Sequence, residues 1–134
     1  MKNRLSTLLM VFLTALMVTC SSCPTKTTAP SVGGKWTIVS VTSDLGATGV
    51  LPKYQAVGGT FEIPAASGPY TIKTAGAGAV TGSGTAVSTA TDVKLDGATT
   101  FAYSDLTANA VTLKGRVNDA TKTVANNLTI VLKR

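Results

Sequence analysis

Hydrophobic and polar residues alternate along most of the chain from residue 35 onward. A period of two places successive side chains on opposite faces of a β-sheet. The apolar members of the alternating runs are Trp36 and Ile38, Phe61 and Ile63, Tyr70 and Ile72, Val93 and Leu95, Phe101 and Tyr103, Val111 and Leu113, and Leu128, Ile130 and Leu132. The pattern predicts short strands and leaves no long helix.

Turn-forming residues separate these runs. The turns are expected at Pro64 to Pro69, Asp96-Gly97, Asp105 to Asn109 and Asn118-Asp119. The segment Ala75 to Ala90 is almost wholly Gly, Ala, Ser and Thr, with only Val80 and Val87 to pack, and is expected to be a glycine-bent hairpin or a frayed lip. Counting it, the chain has about eight strands.

About eight short strands without intervening helices predict an all-β, antiparallel, up-and-down meander. An open sheet of this size would expose two hydrogen-bonding edges, and closure removes both. The sequence therefore predicts a closed β-barrel. Simple alternation in the first strand places Ser40 on its inner face, and Val39, Val41 and Val131 are expected on the outside of the barrel.

The N-terminal segment has a different composition. Lys2 and Arg4 precede an unbroken apolar run from Leu8 to Val18. A charged start followed by a short apolar run is typical of an export signal, and a permanent transmembrane helix needs about 20 apolar residues. Loss of the signal lowers the formal net charge from +6 to +4.

The end of this segment resembles the lipobox of bacterial lipoproteins, with Met17-Val18-Thr19 directly before Cys20. The resemblance implies cleavage before Cys20 and its acylation, for example with palmitate. Cys23 is the alternative, because Ser22 suits the position before the cut, although Cys20 would then stand where an aliphatic residue belongs. A lipid-anchored location in the bacterial cell envelope follows, with the outer membrane favoured over the inner and the domain in the periplasm or at the cell exterior.

These features divide the chain into three parts. Residues 1–19 are the expected lipoprotein signal peptide. Residues 20–31 carry the lipidated cysteine and a tether rich in Ser, Thr and Pro, a composition typical of flexible spacers. Residues 32–134 form the expected barrel domain.

Composition excludes several classes of function. The chain has no histidine, so the commonest general base and zinc ligand are missing. Two cysteines do not supply the four ligands of a structural zinc site. The basic residues are scattered singly, whereas nucleic-acid binding favours a concentrated stripe with stacking aromatics. We therefore expect no enzyme activity, no metal, no cofactor and no nucleic-acid partner.

Gly34-Lys35-Trp36 resembles the G-x-W motif that opens lipocalins and their small calycin relatives. In that family the tryptophan plugs the closed end of an eight-stranded barrel beneath a late basic residue, so the resemblance assigns Gly34, Trp36 and Arg134 to a structural plug. It also implies a long first loop over the open mouth, here Ser43 to Val57. The chain is shorter than typical lipocalins, without their outer helix or internal disulfide, and is more similar to the small lipocalin-like domains of bacterial lipoproteins.

An eight-stranded barrel either fills its interior with side chains or holds one small ligand. The first expectation is a binding protein for a small apolar ligand. The residues expected to contact that ligand are Leu51, Tyr54, Phe61, Tyr70, Phe101 and Tyr103. The alternative is a filled barrel that acts as a structural or protein-interaction module, such as an inhibitor, and no particular protein partner is indicated.

Overall fold

The computed structural model describes residues 29–46, 49–76, 78–118 and 125–134. The expected signal peptide, both cysteines and most of the tether lie outside the described residues. Within these ranges, no helix has the length and apolar character needed to cross a membrane.

Eight antiparallel strands form a closed barrel in sequence order, with β8 paired to β1. The strands are β1 (Gly34–Ser43), β2 (Thr60–Ile63), β3 (Ser67–Lys73), β4 (Val80–Ser88), β5 (Asp92–Leu95), β6 (Thr99–Ser104), β7 (Ala110–Asn118) and β8 (Ala125–Lys133). One 3₁₀ turn, Pro52–Tyr54, is the helical element of the described chain. The predicted all-β meander and its closure into a barrel are confirmed.

The alternating apolar side chains fill the barrel interior. Those from the strands that are at most 2% exposed are Trp36, Ile38, Phe61, Ile63, Tyr70, Ile72, Ala86, Val93, Leu95, Phe101, Val111, Leu113, Val117, Leu128, Ile130 and Leu132. Burial of one large apolar side chain contributes about 1.5–3 kcal/mol, and this shared core holds the eight short strands together.

A β-bulge at Val39 reverses the inward and outward faces of β1. Ile38 is opposite Leu132, whereas Ser40 is opposite Val131, so Val39 is an extra residue in β1. Beyond it Val41 is half-buried against the core. The expectation that Ser40 faces inward and Val41 outward is therefore wrong, because strict alternation does not allow for an inserted residue.

Two further details of β3 and β4 differ from the sequence expectations. β3 already includes Pro69, which the sequence placed in a turn. Pro69 is opposite Thr85, but the backbone N–H and C=O of Thr85 both bond to Asp96. The N–H that proline lacks is therefore not needed at this position.

β4 turns a different face to the interior from the one expected. The expectation was that Val80 and Val87 pack inward, but they are 57% and 51% exposed. Ala86 is the buried residue of this strand.

Trp36 and Arg134 seal one end of the barrel. Trp36 Nε1 donates a hydrogen bond of 2.6 Å to the Val32 carbonyl. The guanidinium carbon of Arg134 lies 4.0 Å from the centre of the Trp36 ring, an arrangement in which the ring quadrupole attracts the cation. We call this end, where β1 begins and β8 ends, the closed end.

The guanidinium of Arg134 also binds backbone carbonyls at the closed end. It donates to Ala108 at 3.1 Å, to Ser31 at 3.3 Å and to Gly33. A Cβ at Gly34 would come within 2.9 Å of Arg134 Nη2, and φ at Gly34 is +128°. Residue 34 is therefore glycine for two reasons, its backbone conformation and the space that the guanidinium needs.

We predict that Arg134→Ala lowers the free energy of unfolding by about 2 kcal/mol, through loss of the cation–π contact and charge-assisted hydrogen bonds. Arg134→Lys should recover only part of this, because an ammonium cannot donate in the same planar fork. Urea denaturation followed by tryptophan fluorescence measures the change. Lys133→Ala, at the exposed neighbour, is the control, and equal stability of the two alanine variants would contradict the plug.

Candidate functional site

The loop between β1 and β2, residues 44–59, covers the open end of the barrel; we call it the first loop. The 3₁₀ turn in this loop begins at Pro52, and Tyr54 N–H donates to Leu51 O at 2.9 Å. The fixed φ of proline suits the first position of such a turn. The turn directs Tyr54 into the barrel, where the side chain is 1% exposed.

Aromatic residues of the interior pack in two edge-to-face pairs. Tyr54 and Phe101 have ring centres 5.7 Å apart at an interplanar angle of 76°. Phe61 and Tyr70 are 5.9 Å apart at 63°. This geometry is favourable for ring quadrupoles, so four of the six residues expected to bind ligand contact other aromatic residues of the protein instead.

The other two expected ligand residues lie at opposite ends of the barrel. Leu51 is in the first loop and half-buried against the core. Tyr103 is near the end of β6, toward the closed end, and also half-buried. The structure does not bring the six residues together in one pocket.

A polar cluster holds the first loop to the turn between β5 and β6. Lys53 Nζ lies 3.4 Å from Asp96 Oδ2, and Tyr70 donates its hydroxyl proton to the same oxygen at 2.8 Å. The Thr85 N–H donates to Asp96 Oδ1 at 3.1 Å. We call Lys53, Tyr70, Thr85 and Asp96 the Asp96 cluster.

The backbone around Asp96 makes this cluster possible. Asp96 and Gly97 have φ of 53° and 67°, the positive values that a type I′ turn requires. A Cβ at Gly84 would collide with Asp96 Oδ1. Glycine at residue 84 thus lets the carboxylate cross β4 and reach Tyr70.

The charges and hydrogen bonds of the cluster lower the pKa of Asp96 below its ordinary value of 3.8. Desolvation alone would raise it. Hydrogen bonds from Tyr70 and Thr85 and the Lys53 ammonium outweigh that effect. Burial, with the carboxylate as a further cause, raises the pKa of the Tyr70 hydroxyl above 10, so Tyr70 remains a neutral donor to an ionised Asp96.

Asn126 holds the other side of the first loop. Its side-chain amide donates to the Gly49 carbonyl, and its Oδ1 accepts from Ser43 Oγ at 2.6 Å. Asn126 is buried, and these bonds satisfy its amide as burial requires. The first loop is thus fixed on two sides, by Asn126 and by the Asp96 cluster.

A cavity of about 310 Å³ lies where the first loop departs from β1. It is lined by Val41, Val50, Gln55 and Val57, and we call it the seam cavity. Ile38 still bonds through its backbone to Gly58 and Gly59, and beyond this point β1 pairs with β8 alone. The seam cavity occupies the resulting gap.

A second cavity of about 200 Å³ adjoins the first and shares Val41 and Val50 with it. Its other lining residues are Thr42, Ser43 and Gly46. The sequence did not predict either cavity, since both depend on Val41 pointing inward after the bulge. The irregular composition of the first loop gave no signal for Val50, Gln55 or Val57.

The Tyr54 hydroxyl is buried without a hydrogen-bond partner. In the described chain it shares this state with the hydroxyls of Tyr103 and Ser104. Burial, followed by the influence of Tyr70 and Asp96, raises the pKa of Tyr54 above 10, so the phenol is neutral. Among the described residues, no group of three or more Cys, Asp or Glu could hold a metal ion.

Comparisons with protein-family models, curated protein sequences and solved structures found no match to this chain. The fold assignment therefore depends on the strand topology itself. A closed antiparallel barrel of eight strands is consistent with a lipocalin-like fold and compatible with a ligand-binding domain of the calycin type.

We predict that Asp96→Asn makes stability less dependent on acid pH. Because the pKa of Asp96 is lower in the folded than in the unfolded protein, the stability it contributes is present above about pH 4 and is lost as pH falls through the folded-state pKa. Urea denaturation at a series of pH values from about 6 to about 2.5 should show a smaller loss for the variant than for the native protein.

Asp105→Asn is the matched control, because Asp105 is also an exposed turn residue with positive φ, 57°, and lies outside the Asp96 cluster. If both substitutions change the loss of stability at acid pH by the same amount, the contacts of Asp96 with Lys53 and Tyr70 do not favour its ionised form.

Proposed function

We propose that this chain is a lipid-anchored, non-enzymatic protein of the bacterial cell envelope that binds a small apolar ligand at the mouth of a lipocalin-like barrel. The observation that carries the proposal is the seam cavity. Its volume of about 310 Å³ is at the lower end of the range of ligand pockets, roughly 300–1,000 Å³. Among the described residues, three valines and one amide side chain line it, which suits a small, mostly apolar molecule.

The position of the tether supports this arrangement. Ser31, the last residue of the expected tether, accepts a hydrogen bond from Arg134 at the closed end. The first loop and the seam cavity are at the other end of the barrel. A lipid on Cys20 would therefore attach the domain through its closed end, and the mouth at the other end would not be the point of attachment.

The alternative, a filled barrel that acts as a protein-interaction module, also has a specific observation in its favour. The strand side chains that fill the barrel are at most 2% exposed, so a ligand cannot enter the core unless a side chain moves. The two functions differ in whether an apolar molecule binds at the mouth.

We predict that the neutral fluorescent probe N-phenyl-1-naphthylamine binds the native protein at the seam cavity. Val57 is 57% exposed and lines this cavity, so Val57→Trp should fill it from the rim and weaken binding at least about tenfold, with the core unchanged. Val87→Trp is the matched control, at a 51% exposed valine on β4. Equal affinity of both variants and the native protein would exclude the seam cavity as the binding site.

We predict that Cys20 carries the lipid. In a bacterial host fed with labelled palmitate, Cys20→Ser should lose the label, whereas Cys23→Ser should retain it. The opposite result would assign the lipid to Cys23, and an unlabelled native protein would contradict the membrane anchor.

A further inference from the structure

Tyr54 differs from the other large buried rings in how the chain holds it. Trp36, Phe61, Tyr70 and Phe101 are all strand residues of the barrel wall. Tyr54 is carried by a three-residue 3₁₀ turn in the first loop. Withdrawal of Tyr54 would therefore leave all eight strands and their pairing in place.

The hydroxyl of Tyr54 makes its buried position less favourable. The group is enclosed and has no hydrogen-bond partner, so it has given up its bonds to water without replacement. In solvent it would regain them. A phenylalanine at residue 54 would make the same ring contact with Phe101 without this cost.

The polar contacts that hold the turn beside Tyr54 are made by Lys53 and are partly exposed; its ammonium also lies 5.2 Å from the centre of the Tyr54 ring. Lys53 Nζ is 3.4 Å from Asp96 Oδ2, with side chains 30% and 42% exposed, and an ion pair of this kind contributes little stability. The Lys53 carbonyl accepts one hydrogen bond from Thr81 Oγ1 at 3.2 Å.

The seam cavity lies directly beside this turn. Gln55, the residue after Tyr54, is part of its lining. Gln55 is fixed by a bond from its Nε2 to the Val50 carbonyl at 2.7 Å, and Val50 lines the cavity as well. A molecule in the cavity is thus one residue away from the turn that carries the ring.

From these observations we propose that Tyr54 is a built-in, displaceable occupant of a second part of the ligand site. The six-membered ring of a small neutral ligand takes the place of the Tyr54 ring against Phe101 when Tyr54 withdraws. This inference rests on the proposed function, since the seam cavity is the route by which the ligand arrives.

The surroundings define the chemical class of the ligand. The place of the Tyr54 ring is apolar, and burial there raises the pKa of a phenol, so an ionised ring is disfavoured. Phe101 meets the ring edge-to-face, a contact that favours aromatic rings. The site therefore suits an uncharged aromatic hydrocarbon of about the size of toluene, which fills the place of the tyrosine ring without burying a hydroxyl.

Binding of toluene to the native protein and to two tyrosine variants, measured by isothermal titration calorimetry, tests the proposal. Tyr54→Phe should bind at least about tenfold more weakly than the native protein, because the occupant loses its unpaired hydroxyl and resists displacement. Tyr103→Phe is the control, since it removes a buried tyrosine hydroxyl toward the closed end, away from the proposed site, and it should bind as the native protein does.

Tyr54→Ala removes the competing ring and should bind toluene at least about tenfold more tightly than the native protein. The comparison of Tyr54→Phe with Tyr103→Phe decides the question even if the alanine variant does not fold, because both phenylalanine variants retain the ring. In the native protein, bound toluene should give nuclear Overhauser contacts to Phe101.

Equal toluene affinity in the native protein, Tyr54→Phe and Tyr103→Phe would overturn the inference. If Val57→Trp abolishes naphthylamine binding but substitution of residue 54 does not change toluene affinity, the proposed function is supported and the displaceable ring is excluded. If Val57→Trp has no effect while toluene affinity decreases in the order Ala, Tyr, Phe at residue 54, the ring site is supported and the seam cavity is excluded.

Discussion

The pairing of β1 with two different neighbours is the constraint on which the rest of the structure depends. Gly34 to Thr37 pair with β2, and from Thr37 onward β1 pairs with β8, which closes the barrel. Closure removes the exposed sheet edges. However, β2 begins at Thr60, opposite Thr37, and does not extend along the second half of β1. The first loop therefore covers the gap. The seam cavity is a consequence of how this barrel closes.

The two ends of the barrel are held by interactions of different strength. At the closed end one guanidinium contacts an indole ring and three backbone carbonyls, and two of these carbonyls, those of Ser31 and Gly33, lie in or next to the expected tether. At the open end the first loop is held by several separate contacts: the buried Asn126 amide, the exposed pair of Asp44 with Asn127, the partly exposed Lys53–Asp96 ion pair, and backbone bonds of Ile38 with Gly58 and Gly59. Segments with fewer buried contacts open more readily, so conformational change is expected at the mouth.

Local alternation predicted most of the strands, because the period of two is a property of neighbouring residues, and the two exposed edges of an open sheet predicted the closed barrel. The lipocalin resemblance assigned Arg134 and Trp36 to one plug, and the two side chains are in contact. The bulge at Val39 could not be predicted, since only the pairing with β8 reveals the extra residue. Asp96 was recognised as a turn former, but its bond to Tyr70 depends on Gly84 in another strand. Such contacts depend on the pairing register of neighbouring strands, which cannot be read from a single sequence.

The first loop, more than the strands, determines whether the interior of this barrel is filled by side chains or open to a ligand. The strands supply four of the five largest buried side chains, and these rings form the fixed wall. The fifth is Tyr54, which completes the packing from a loop and leaves its own hydroxyl unpaired. A side chain that filled the space without an unpaired hydroxyl, such as phenylalanine, would favour an interior that stays filled. The tyrosine instead occupies the space at a cost that its withdrawal relieves, so a filled interior and a ligand-binding mouth are compatible in one structure.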